Sequence, residues 1–174
     1  MRTTISTLAI VLCTMMLIVG CCYTDVPVSS SKKLTDVRLV GYWQSKSDAY
    51  KVVKNKDGSC VIYSYQYMAK DKTYKQEGDP MPAYFTSITD NEGTEQFLSY
   101  GKEKKFFTVK YDFSSDNEIT VYPLSEDYLK EHFKSDHDVV KFETTGKFQT
   151  FLKSKLHEED LYEVSSSYDK TTAP

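Results

Sequence analysis

The stretch Ser59-Cys60-Val61-Ile62-Tyr63-Ser64-Tyr65-Gln66-Tyr67-Met68 alternates along its length. Val61, Tyr63, Tyr65 and Tyr67 fall on one face of an extended chain, and Ile62, Ser64, Gln66 and Met68 on the other. Side chains of a strand change face at every residue, whereas those of a helix return every 3.6 residues. The stretch therefore reads as a β-strand, and its branched and aromatic side chains suit a pleated, half-buried surface. Lys56-Asp57-Gly58 ahead of it is a turn signal, and Tyr50 to Lys54 supplies a partner, so the two make a hairpin.

The pattern spreads outward from there. Arg38 to Lys46 reads as a first strand, with Leu39 and Trp43 as its large apolar side chains. Ala83 to Thr89, Thr94 to Tyr100, Lys104 to Phe113 and Glu118 to Leu124 follow, separated by Asp90-Asn91-Glu92-Gly93, Gly101 and Ser114-Ser115-Asp116-Asn117. Phe107, Val109, Tyr111 and Phe113 share one face. Lys102, Glu103, Lys104 and Lys105 read as a hairpin tip. Gly78-Asp79-Pro80-Met81-Pro82 is expected to break the sheet, because proline lacks the ladder donor. About seven to nine strands joined by short turns favour an antiparallel meander, and one of that size tends to close on itself.

Two short helices are expected late in the chain. Ser125 can cap the first, Glu126 and Asp127 suit its positive end, and Leu129 and Phe133 make its apolar stripe. Thr144 or Thr145 caps the second, which carries Phe148, Phe151, Leu152 and Leu156 at helical spacing. Val139 to Phe142 is a brief extended piece between them, and Leu161 to Val164 reads as a last edge strand. Residues 165–174 are polar and are expected to be a disordered tail.

The N-terminus gives an address. Arg2 precedes an apolar run from Leu8 to Val19, which ends in Gly20-Cys21. That is the layout of a secretory signal. Ile18-Val19-Gly20-Cys21 resembles the lipobox of bacterial lipoproteins. The resemblance implies lipidation at Cys21, cleavage after Gly20 and attachment to a membrane of the cell envelope by fatty acyl chains. Cys22 follows, rather than an aspartate, and by the sorting rule of enteric-type lipoproteins the outer membrane is favoured in a two-membrane bacterium. Residues 1–20 are then signal, 21–35 a lipidated cysteine and polar tether, 36–164 the β domain, and 165–174 the tail. Treated as a flexible coil, the tether spans roughly 20 Å. Cys22 and Cys60 remain for a disulfide in an oxidising compartment, or stay unpaired.

Gly41-Tyr42-Trp43 at the opening strand resembles the Gly-x-Trp of lipocalins, in which the tryptophan plugs one end of a barrel. The expected fold is a mostly β, lipocalin-like barrel with two short helices near the C-terminus. One departure stands out. In lipocalins an arginine from the last strand lies over that tryptophan, and Arg2 and Arg38 are the only arginines here.

Composition narrows the function. The net charge is −3 with no basic patch, which argues against nucleic acid as a partner. Asp136-His137-Asp138 has ligand-type residues, but adjacent positions on one segment rarely converge on a metal, so no metal or cofactor is expected. No Gly-x-Ser-x-Gly, Cys/His or phosphate-loop motif occurs, and the chain is not read as an enzyme. Tyrosines are concentrated on the strands. Trp43 with Tyr63, Tyr65 and Tyr67 is the expected lining of a cavity for a small apolar or amphipathic ligand. The alternative is an envelope protein-interaction or inhibitor module with a filled core, acting through the loop Gly78 to Pro82.

Overall fold

The computed structural model describes residues 23–135 and 137–173. Its strands are β1 (Tyr23–Thr24), β2 (Gly41–Gln44), β3 (Asp48–Lys54), β4 (Cys60–Met68), β5 (Thr73–Thr89), β6 (Thr94–Lys102), β7 (Lys105–Ser115), β8 (Glu118–Pro123), β9 (Val139–Val140) and β10 (Ser166–Thr171). The helices are α1 (Glu126–Phe133) and α2 (Thr145–Lys155). Strands β2 to β8 pair antiparallel in chain order, and β10 lies between β8 and β2. The result is a closed eight-stranded antiparallel barrel with lipocalin-like architecture. Closure leaves these strands without a long bare edge.

The closing strand lies where a disordered tail was expected. Tyr168 pairs with Ile119 on β8, and Lys170 with Trp43 on β2. The segment has one large apolar side chain, so hydropathy hid it. Its stability comes from ladder bonds on both sides and from Tyr168, which turns inward and is buried. Leu161–Val164 is correspondingly not an edge strand. Glu159–Leu161 forms a 3-10 turn, and Tyr162 makes a single bridge to Leu124.

The expected tether is also folded where it is described. Thr24 pairs with Phe106 on β7, and Tyr23 and Thr24 pair parallel with β9. Val28 is fully buried, its amide donates to Ser99 Oγ at 2.8 Å, and Lys33 bridges to Ser59. The signal sequence, Cys21 and Cys22 lie outside the described residues.

The expected break at Gly78–Pro82 is a distortion within one long strand. Pairing runs Ile62 to Met81 and then Ser64 to Glu77, so Gly78-Asp79-Pro80 stand opposite the single Tyr63, two residues are extra, and the exposed segment bulges outward. A bulge accommodates proline without ending the strand. The opening strand is shorter than expected, because Val37–Leu39 winds into a 3-10 turn capped by Asp36.

Two cores result. Inside the barrel, Trp43, Val52, Ile62, Phe85, Leu98, Val109 and Tyr111 interlock. Outside it, α1 and α2 lay Leu129, Phe148 and Leu152 over Ile88 and Phe97 of β5 and β6. Burying a side chain of this size contributes roughly 1.5–3 kcal/mol. Ser125 caps α1 by accepting from the Tyr128 amide, and Thr144 caps α2 by accepting from the Lys147 amide.

Candidate functional site

The barrel has one closed end and one open end. At the closed end Trp43 is buried on β2 and its Nε1 donates to the Leu39 carbonyl at 2.7 Å. The 3-10 turn lies under it. Arg38 stacks over Phe113 at 4.1 Å and pairs with Asp36, which holds the Asp36 carboxyl below its usual range. The missing arginine has a substitute. Lys170 of β10, the last strand, places Nζ 5.1 Å from the Trp43 ring centroid and donates to the Arg38 carbonyl at 2.7 Å. Gly41 makes this crossing possible: its φ is +134°, and a Cβ there would lie 3.0 Å from Lys170 Cε.

At the open end the inward side chains pack along one side only. A cleft of about 530 Å³ lies among Tyr50, Ser64, Glu77, Met81, Tyr100 and Phe107, with Tyr23 of β1 and the β6–β7 turn at its edge. Rings line up across the barrel behind it. Tyr168 meets Tyr50 edge-on at 5.7 Å, Tyr50 meets Tyr100 at 6.2 Å, and Tyr100 meets Phe107 at 5.4 Å. Asp48 orders this row by accepting from Tyr168 Oη at 3.2 Å and from Tyr50 Oη at 3.5 Å. Burial pushes the Tyr168 hydroxyl far up, so it remains a proton donor. The walls thus offer ring faces, the Met81 thioether, and the polar Ser64 and Glu77. That combination accommodates part of an amphipathic molecule.

The expected lining is corrected here. Trp43 is inside but serves as the plug; it does not line the cleft, and its cross-strand partner Tyr50 does. Tyr63, Tyr65 and Tyr67 face outward. Tyr65 meets Tyr42 at 6.2 Å, Tyr67 meets Tyr74 at 5.2 Å, and Lys51 lies 4.7 Å from the Tyr42 ring and 6.0 Å from that of Tyr63. The inward row is the even-numbered one, Cys60, Ile62 and Ser64. Tyr50 and Tyr100, which sequence reasoning missed, had a usable signal. Tyr50 pairs directly across from Trp43, and Tyr100 directly across from Phe107, so each shares its partner's face.

Other sequence candidates stay apart from the cleft. His137 and Asp138 are exposed, and Asp136 lies outside the described residues. His157 binds Asp90 at 2.7 Å, tying the end of α2 to the β5–β6 turn. Cys60 is a free thiol buried in the barrel, and burial pushes its pKa up. A second cleft, lined by Asp127, Tyr128, Glu131 and Asp160, lies on the helical side. Among the described residues no helix is long and apolar enough to cross a membrane.

No protein-family model matches this chain, and no curated protein or solved structure matches it significantly.

Proposed function

We propose that this chain is a lipid-anchored cell-envelope protein, without catalytic activity, whose open barrel end binds part of a small amphipathic ligand. The observation that carries the binding reading is the cleft at the open end, larger than the pocket of about 360 Å³ at the other end, with Tyr50, Tyr100 and Phe107 presenting rings beside Ser64 and Glu77. The anchor rests on the lipobox-like Ile18-Val19-Gly20-Cys21.

Titration with a fluorescent fatty acid tests the cleft. Emission should rise saturably with the unaltered protein. Ser64→Phe, which fills the cleft, should weaken binding at least about tenfold, a difference of 1.4 kcal/mol. Saturable binding unaffected by that substitution, or no binding by the unaltered protein, would overturn the cleft reading. Mass spectrometry of the N-terminus tests the anchor, with Cys21→Ala as control.

A protein-interaction or inhibitor role is the second reading. It is favoured by the filled lower barrel and by the outward tyrosines Tyr42, Tyr63, Tyr65 and Tyr67. Recovery of one envelope protein that is lost on Tyr65→Ala, beside a negative ligand titration, would place it first.

A further inference from the structure

We propose that the open rim of the barrel rests on a bilayer carrying anionic headgroups, so that the cleft faces the lipid. The inference rests on the anchored reading for one of its two supports, the position of Cys21. Tyr23 lines the cleft, its amide donates to the Asp138 carbonyl at 3.1 Å, and β1 is clamped between β7 and β9. Two residues of chain reach at most about 7 Å. An acyl group on Cys21 would therefore be joined to Tyr23 at the cleft wall by no more than that length of chain.

The second support is the chemistry of the turns, which differs between the two ends. The open-end turns carry Lys46, Lys70, Lys72 and Lys104 against Asp71 and Glu103. The closed-end turns carry Asp57, Asp90, Glu92 and Asp116 against Lys56. The hairpin turns thus differ in charge, net positive at the end beside Tyr23, although Arg38 and Lys170 offset the acidic turns at the closed end and Glu77, Asp79 and Asp138 lie near the lysines at the open one. Beside these lysines the β4–β5 hairpin exposes Tyr67 and Met68, each a little over one third open to solvent. Aromatic and apolar groups flanked by lysines suit the headgroup layer, where rings sit at the interface and ammonium groups meet phosphates. The acidic residues Asp127, Glu131 and Asp160 line the separate helical-side cleft and do not enter this rim. An amphipathic ligand would then pass between bilayer and cleft without crossing open water.

Depth-dependent quenching tests the orientation. The full-length protein is reconstituted with vesicles of phosphatidylcholine and roughly one quarter phosphatidylglycerol, with brominated acyl chains. The native Trp43 reports the closed end. Met68→Trp adds a reporter at the rim, and Asn91→Trp adds one at a closed-end turn. The added emission of Met68→Trp should fall at least about twofold, while Trp43 and Asn91→Trp stay unquenched. Combining Lys70→Glu, Lys72→Glu and Lys104→Glu with Met68→Trp should abolish that quenching. Flotation with an acylated Cys21 but no rim quenching, or equal quenching at Asn91→Trp, would overturn the orientation and leave the anchored reading intact. Rim quenching without acyl mass on Cys21 would remove the anchor and sustain the rim. No association with vesicles would overturn both.

Discussion

The two ends of the barrel share the same strands and differ in what their inward side chains meet. At the closed end Trp43 and Arg38 are both engaged: Trp43 has Leu39, Phe113 and Lys170, and Arg38 has Asp36 and Phe113, beside a smaller pocket of about 360 Å³. At the open end Tyr50, Tyr100 and Phe107 pack edge-on along one side and leave a cleft on the other. A side chain that completes a packed layer contributes to stability, whereas one that lines a void is available to a ligand. The comparison assigns stability to one end and recognition to the other, and substitutions at the two ends should separate those properties.

The largest effect is expected at the plug. Trp43→Ala should lower unfolding stability by about 3–5 kcal/mol, the cost of deleting a buried aromatic ring, measured by urea denaturation. Fatty-acid binding by the fraction that remains folded should persist, because Trp43 does not itself line the cleft and reaches it only through its cross-strand partner Tyr50. Loss of binding at full stability would break the division between the ends. A smaller cost is expected at one rigid point of the open rim. Gly101 has φ +150°, and a Cβ there would lie 2.0 Å from the Lys105 carbonyl oxygen. Gly101→Ala should therefore cost about 2–3 kcal/mol by forcing the β6–β7 hairpin apart. Unlike Trp43→Ala, it should also weaken binding, since Gly101 edges the cleft.

A weaker contrast lies in acid. The Asp36 carboxyl is depressed first by its side-chain bond with Arg38 and further by the Arg38 amide, against an opposing effect of burial. A carboxyl with a lowered folded pKa contributes stability that is complete above its unfolded value, about 3.9, and is lost as pH falls through the folded one. Asp36→Asn keeps a cap for the 3-10 turn but removes the charge. It should cost at most about 1 kcal/mol at neutral pH, because the pair is partly solvated. Below about pH 4 the difference from the unaltered protein should shrink towards zero. A constant gap across that window would show that the carboxylate charge is not what steadies the closed end.

Much of this architecture was legible in the chain. The hairpin over 50–68, the strand rows of β6 and β7 and both helix caps follow from period and capping residues, which act locally. What escaped depends on the partner. Residues 166–171 have almost no apolar pattern and become a strand only because β8 and β2 each present a bare edge. Val28 is buried because α2 and β6 enclose a segment that reads as polar tether. The tyrosine row of β4 was legible as a row but not by its direction, since tyrosine suits either face of a sheet. Its side was decided by Ile62, whose neighbours across β3 and β5 are Val52 and Met81, and by Cys60, which pairs with Ala83 on β5 and Lys54 on β3. Lys170 shows the same limit. Its role over Trp43 is set by the register of β10, and no arginine was needed.

The smallest expected effect probes how the open rim is built. The β6–β7 turn has two residues, Glu103 and Lys104, between the paired Lys102 and Lys105. Both have positive φ, 54° and 62°, the geometry of a hairpin turn that asparagine and glycine favour. A side chain costs roughly 1 kcal/mol in this region, because its Cβ crowds the following carbonyl. Lys104→Gly relieves that crowding but also enlarges the conformational freedom of the unfolded chain. The net gain should therefore be small, up to about 0.5 kcal/mol by urea denaturation. If the turn serves only the fold, that gain should come without other change. If Lys104 faces a bilayer, the more stable variant should be retained less on anionic vesicles, and the deficit should vanish at high salt, where exposed charges are screened. Lys104→Arg restores the charge without the glycine and should restore retention. Equal retention of all three proteins would assign the lysine to the turn alone.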